Sequence, residues 1–126
     1  MAHPLGDETY VSLASFRRDG REVPTAVWIA SDGEDLVVYT NATSGKVKRI
    51  RGRGRVRLAA CDARGKLRGG WVEATARLLD DPAALERGIA AIQRKYGWQA
   101  HLVMLGARLF GRWPDRAVIE IRIART

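Results

Sequence analysis

The chain has 126 residues, 46% of them hydrophobic, which suits one compact core and is too little for two ordinary domains, so residues 1–126 read as a single domain. No apolar run reaches the roughly 18 residues of a membrane span, MAHPLGDETY has neither the basic start nor the apolar core of a signal peptide, and the lone Cys61 excludes an internal disulfide and a cysteine metal cluster. The net charge of +8 is concentrated: residues 46 to 68 carry ten basic side chains against one acid, Asp62, and the remainder sums to −1.

Thr9 to Phe16, Thr25 to Ile29 and Leu36 to Thr40 are β-favouring runs, and Asp32-Gly33 between the last two signals a hairpin. After the third run the chain turns through Asn41, Ala42, Thr43, Ser44 and Gly45 into a short helix, KVKRIR, with Thr43 or Ser44 as N-cap. Arg55 to Cys61 is a fourth strand. Leu67 to Leu79 is a fifth, expected to bend at Gly69-Gly70. Asp81 caps a helix that has Pro82 in its first turn, carries Leu85, Ile89, Ile92 and Tyr96 at helical spacing and stops at Gly97. A second helical piece spans Gln99 to Phe110, and Ala117 to Ile123 alternates as a sixth strand. Six strands with two or three helices and short connections predict a mainly β fold, a small antiparallel barrel.

The segment after the third strand has the chemistry of an anion site. A helix N-terminus offers free N–H groups and partial positive charge, which suits a phosphate. Thr40, Asn41 and Ser44 add polar side chains, Gly45 lets the backbone approach, and Lys46 adds a full charge. The cations that follow point to a polyanionic ligand. Lys48, Arg49, Arg55 and Arg57 are the candidates for reaching beyond a phosphate, the last two on one strand face because side chains alternate. Cys61, Tyr39 and His101 read as structural, so no side chain is assigned a catalytic role. His3 and His101 lie far apart, and no protein-held metal is expected. Glu73 and Glu120 are expected to face solvent or pair with arginines.

The string YTNATSGKVKRIRGRGRVRLAACDARGKLRG, preceded by PTAVWIASDGEDLVVYTN, resembles the pyridoxamine 5′-phosphate oxidase-like superfamily of flavoproteins, and within it the actinobacterial branch of F420-dependent enzymes. The resemblance implies a six-stranded antiparallel split β-barrel of the FMN-binding type. It implies that Ser44 and Lys46 contact the cofactor phosphate with Thr40 at the strand's end, and that Val27 and Trp28 lie along the cofactor ring. It further implies a homodimer with cofactor sites at the interface, reached from the partner by Trp98 or Trp113. The flavin-using oxidases carry an arginine and a lysine on the second strand, where this chain has PTAVWIA. Half of the usual FMN clamp is therefore missing. Relatives have an Asn-Pro turn where Arg53-Gly54 stands, so a more flexible loop is expected there.

FMN offers one phosphate dianion, which a helix terminus, two hydroxyls and a lysine satisfy. Coenzyme F420 adds a phosphodiester and an oligoglutamate tail that need several further cations. The expectation is an F420-dependent oxidoreductase transferring a hydride to a conjugated small-molecule substrate in the cytoplasm, with an FMN enzyme of the same fold as the alternative. A nucleic-acid-binding barrel competes through the basic segment, but aromatic residues for base stacking are nearly absent from it. A carrier with the same pocket and no turnover is a third reading.

Overall fold

The computed structural model describes residues 3–41, 45–52, 54–111 and 116–123. After a 3-10 turn at Pro4–Asp7, β1 (Tyr10–Phe16) and β2 (Glu22–Val27) form one hairpin, and β3 (Ile29–Asp32) and β4 (Asp35–Asn41) form another. Helix α1 (Gly45–Gly52) precedes β5 (Arg55–Cys61) and β6 (Val72–Leu78); α2 (Pro82–Tyr96) and α3 (Trp98–Leu109) precede β7 (Arg116–Ile123). The strands lie in the order β2-β1-β5-β6-β7-β4-β3, each antiparallel to its neighbours.

The fold is thus mainly β and antiparallel with three helices, as expected, but the described residues form seven strands rather than six. The difference arises at Trp28. The run from Thr25 to Ile29 is two strands: pairing with β1 ends at Val11↔Val27, and pairing with β4 begins at Ile29↔Val38. β2 and β3 are the opposite edges of the sheet, yet Trp28 alone separates them in sequence. Two residue steps span at most roughly 7 Å, so the sheet must curl until its edges nearly meet. The result is a split barrel.

The inner face of the curl buries Leu13, Val38, Leu58, Ile119 and Ile121, with Ile50 of α1 among them. The outer face is covered on the β3, β4 and β7 side, where Ala30, Val37 and Val118 meet Ile89 and Ile92 of α2. Gly88 makes that approach possible, because a Cβ there would stand 2.6 Å from Val118 Cγ1. The end signals of α2 are local and hold: the Asp81 carboxylate accepts from Ala84 N–H at 3.1 Å, Pro82 opens the first turn, and Gly97 ends the helix with a φ of 59°.

A hairpin turn between β3 and β4 forms as expected but one residue later than the Asp32-Gly33 pair: Asp32 is paired with Asp35, and Gly33, at a φ of 65°, opens the two-residue loop, with no non-glycine residue at positive φ among the described residues. Positive φ at the first loop position alone fits a type II′ hairpin. The fifth predicted strand is shorter than expected. Pairing resumes only at Val72, and Leu67 makes an isolated bridge to Cys61. The Gly69-Gly70 pair interrupts the strand instead of bending it, since glycine loses more entropy on being ordered and brings no side chain to pack.

Candidate cofactor site

Helix α1 packs against β1 and β6, with Val47 and Ile50 buried and Lys48 and Arg51 exposed. This orientation leaves Lys46 half-buried at the first turn, in the wall of a cleft of about 290 Å³ that also contains Val27, Trp28, Thr40, Tyr39 and Val103. Four of the residues singled out from sequence, Val27, Trp28, Thr40 and Lys46, are therefore brought together from β2, the strand switch, β4 and α1. Burial lowers the pKa of Lys46, and the neighbouring Arg49 guanidinium lowers it further. Among the described residues no carboxylate pairs with Lys46. Two neighbouring cations in a partly desolvated place are unfavourable without a counter-charge, and an anion in the cleft would supply one.

A second cavity of about 430 Å³ adjoins the first, and the two share Tyr39, Thr40 and Val103. Asn41 and Arg116 line its polar side; Leu102 and Gly106 of α3, with Phe110 just after it, supply the other. Burial raises the pKa of Tyr39, with Arg116 acting weakly in the opposite sense, so the phenol keeps its proton at neutral pH. Sequence reading assigned Tyr39 a structural role; its position in both walls puts it at the site. The α3 residues were also missed, because a helix that is apolar on several faces gives no signal of which face meets a cleft.

Trp28 is held from behind. Its ring stacks on Tyr96 at 4.3 Å between centroids, with an interplanar angle of 10°. Ile29 N–H donates to Tyr96 Oη at 2.9 Å, and the phenol proton is directed to the carbonyls of Thr9 (2.7 Å) and Ile29 (3.0 Å). The adjacent Lys95 ammonium donates to the carbonyls of Gly6 (2.7 Å), Glu8 and Ile29. Burial pushes the Tyr96 pKa up to about 12 and lowers that of Lys95.

The basic segment divides. Arg49 stays with α1, where its Nε donates to Ser15 Oγ at 2.6 Å; burial and nearby Arg17 lower its pKa. Arg55 and Arg57, expected beyond the phosphate, are placed away from both cavities. They do share a face of β5, but it is the one opposite the Val56 and Leu58 core. Arg55 pairs with Glu73 at 3.2 Å and lies over the Phe16 ring; Arg57 pairs with Glu22 at 2.7 Å and lies over Trp71. Cross-strand carboxylates already match these charges. Glu73 and Glu120 meet arginines as expected, Glu120 contacting Arg77 at 2.9 Å. Cys61 is buried, and burial raises its pKa, which fits a structural thiol. Gly45 is exposed at the start of α1. Ser44, Thr43, Arg53 and Trp113 lie outside the described residues.

The sequence profile described as pyridoxamine 5′-phosphate oxidase matches residues 2–126. No curated protein matches the chain. Among solved structures, a conserved hypothetical protein from Mycobacterium tuberculosis is 23% identical with a TM-score of 0.72, over 96% of this chain and 76% of its own. A protein described as an F420 reductase is 20% identical with a TM-score of 0.62, covering 98% of this chain and 94% of its own. The heme storage protein HutZ from Vibrio cholerae is 11% identical with a TM-score of 0.69, over 94% and 84% of the two chains. At these identities the likeness is one of fold. The profile match spans nearly the whole sequence, and the chain belongs to the pyridoxamine 5′-phosphate oxidase family.

Proposed function

We propose that this protein is an F420-dependent oxidoreductase. The observation that carries the reading is Lys46, half-buried beside Arg49 at the start of α1 and facing no carboxylate among the described residues, in a cleft whose other walls combine Val27, Trp28 and Val103 with the hydroxyl side chains of Thr25, Tyr39 and Thr40. These residues fit a flat ring system bearing phosphate. Val27 and Trp28 would wall the ring, Thr40 and Lys46 would hold the phosphate, and Lys48, Arg49 and Arg51 would continue the positive charge along α1, with Arg17 next to Arg49. That run exceeds what the single phosphate of FMN needs and suits the longer anionic tail of F420. Arg55 and Arg57 drop out of this path because Glu73 and Glu22 hold them.

When bound, F420 supplies the hydride chemistry. The chain's own residues orient and enclose. Substrate would occupy the larger cavity, where Leu102 and Phe110 offer an apolar wall and Tyr39, still protonated, offers a hydroxyl donor at the shared wall. One α3 stripe, Trp98, Leu102, Leu105 and Leu109, stands exposed at helical spacing, with Trp98 at 69% and Leu109 at 73% exposure. We assign this stripe to a second subunit, which would roof the larger cavity at Leu102. Sedimentation should then show a dimer that Leu105→Glu dissociates.

The test of the cofactor reading is a tryptophan-fluorescence titration with F420 and with FMN. It is followed by absorbance of reduced F420 in the presence of quinone acceptors. Tight F420 binding that Lys46→Ala weakens, with turnover, supports the proposal. Preference for FMN, or binding of neither, overturns it.

A further inference from the structure

We propose that Lys95 and Tyr96, on the last turn of α2, are positioning residues of the cofactor site: they fix the strand switch at Trp28-Ile29 and through it the indole that walls the cleft. This rests on the reading of that cleft as the cofactor site. Ile29 is where an edge strand begins, so its outward N–H and C=O have no neighbouring strand to pair with. Buried backbone groups must find partners. Tyr96 Oη takes the N–H and reaches the C=O, and Lys95 donates to the same C=O. In a closed barrel β2 would satisfy these groups. Here two side chains do, and the split between the barrel's edges stays open.

The same two side chains tie down the chain entering β1. Lys95 bonds the carbonyls of Gly6 and Glu8, Tyr96 that of Thr9, and Tyr10 next to them lines the cleft. One helix end therefore sets two of the cleft's borders without touching its interior. The Tyr96 ring adds the stack on Trp28, and the Lys95 ammonium lies 5.1 Å from the Tyr96 ring centroid. The Tyr96 ring belongs to the same buried cluster as Ile89 and Ile92, so it is the loss of the hydroxyl alone that separates the geometry of the switch from the packing of α2.

The experiment compares Tyr96→Phe, Tyr96→Leu and Lys95→Met with Ile92→Val, a packing change on the same helix, by amide hydrogen exchange and by F420 titration. Tyr96→Phe keeps the stack and loses the hydroxyl bonds. It should speed exchange of the Ile29 amide about tenfold while Val38 and Ile119 keep wild-type rates. It should also weaken F420 binding about fivefold, Tyr96→Leu more, and Ile92→Val less than twofold at a similar loss of melting temperature. Wild-type Ile29 exchange in Tyr96→Phe, or equal weakening by Ile92→Val, would overturn the proposal. If the wild type itself bound no F420, the cofactor reading would fall, and exchange at Ile29 would still decide whether Tyr96 holds the switch. Should Tyr96→Leu not fold, Tyr96→Phe and Lys95→Met carry the test.

Discussion

The basic segment contains two regions that look alike in sequence and differ in the fold. In α1, Lys46, Lys48, Arg49 and Arg51 stand within eight residues that include no acid. In β5, Arg55 and Arg57 have the same density of charge, yet each meets a carboxylate from another strand and an aromatic ring from outside β5. Charge density therefore does not measure charge available to a ligand. A strand places cations opposite neighbours that can neutralise them, whereas the exposed face of α1 meets no carboxylate among the described residues.

The largest expected effect tests that contrast directly. Lys46→Ala should weaken F420 binding about tenfold or more, the scale of a lost charge-assisted hydrogen bond, while the double variant Arg55→Ala/Arg57→Ala should change it less than twofold. Fluorescence titration measures both, and equal losses would erase the distinction between the two regions. Salt should act in the same pattern. Raising ionic strength from about 0.05 M to about 0.5 M should weaken wild-type binding several-fold, and Arg49→Gln, but not Arg55→Gln, should flatten that dependence.

Protonation sharpens the comparison further. Because burial lowers the Lys46 pKa, its charge is lost before pH reaches the ordinary lysine value of 10.5, whereas the hydrogen bond to Glu73 raises the pKa of Arg55 in β5. Anion binding should fall as pH rises toward 10.5, and Lys46→Arg should remove the decline. The linkage has the opposite sign for stability: between the lowered pKa and 10.5 the unfolded chain binds more protons, so Lys46 contributes rising stability with pH in that window. Tyr96 acts the other way. Its pKa is raised from 10.0 to about 12, so the stability it contributes is intact below pH 10 and is lost as pH climbs toward 12. Alkaline denaturation of Tyr96→Phe should lack that fall.

The smallest effects belong to β5. Arg57→Ala should cost about 1 kcal/mol by thermal or urea unfolding, and more than Arg55→Ala, because the Arg57 side chain is 26% exposed against 62% for Arg55. The reverse order would mean that Arg57 draws less from Glu22 and Trp71 than Arg55 does from Glu73 and Phe16.

How much of the site was legible follows from the range of each interaction. Val27, Trp28, Thr40 and Lys46, which the family resemblance singles out, line one cleft because β2, β4 and α1 meet there; the contacts to a cofactor that the resemblance implies for them belong to the proposal. The partners of Arg57 and Arg55 lie 35 and 18 residues away in sequence, at separations where charge patterning carries no signal. Lys95 and Tyr96 looked like the tail of an amphipathic helix, their bonds to Ile29 spanning 66 and 67 residues.

What the sequence determined by itself is whatever depends on neighbours in the chain: the cap and stop of α2, the Gly33 turn, and the alternating strands β5 and β7. Only the tertiary structure decided where the barrel splits. Thr25 to Ile29 is one uninterrupted β-favouring run, and nothing local forbids it from being one strand. It breaks at Trp28 because curling the sheet brings both its edges to that residue, and because Tyr96 and Lys95 arrive there to satisfy the backbone groups that the break leaves open.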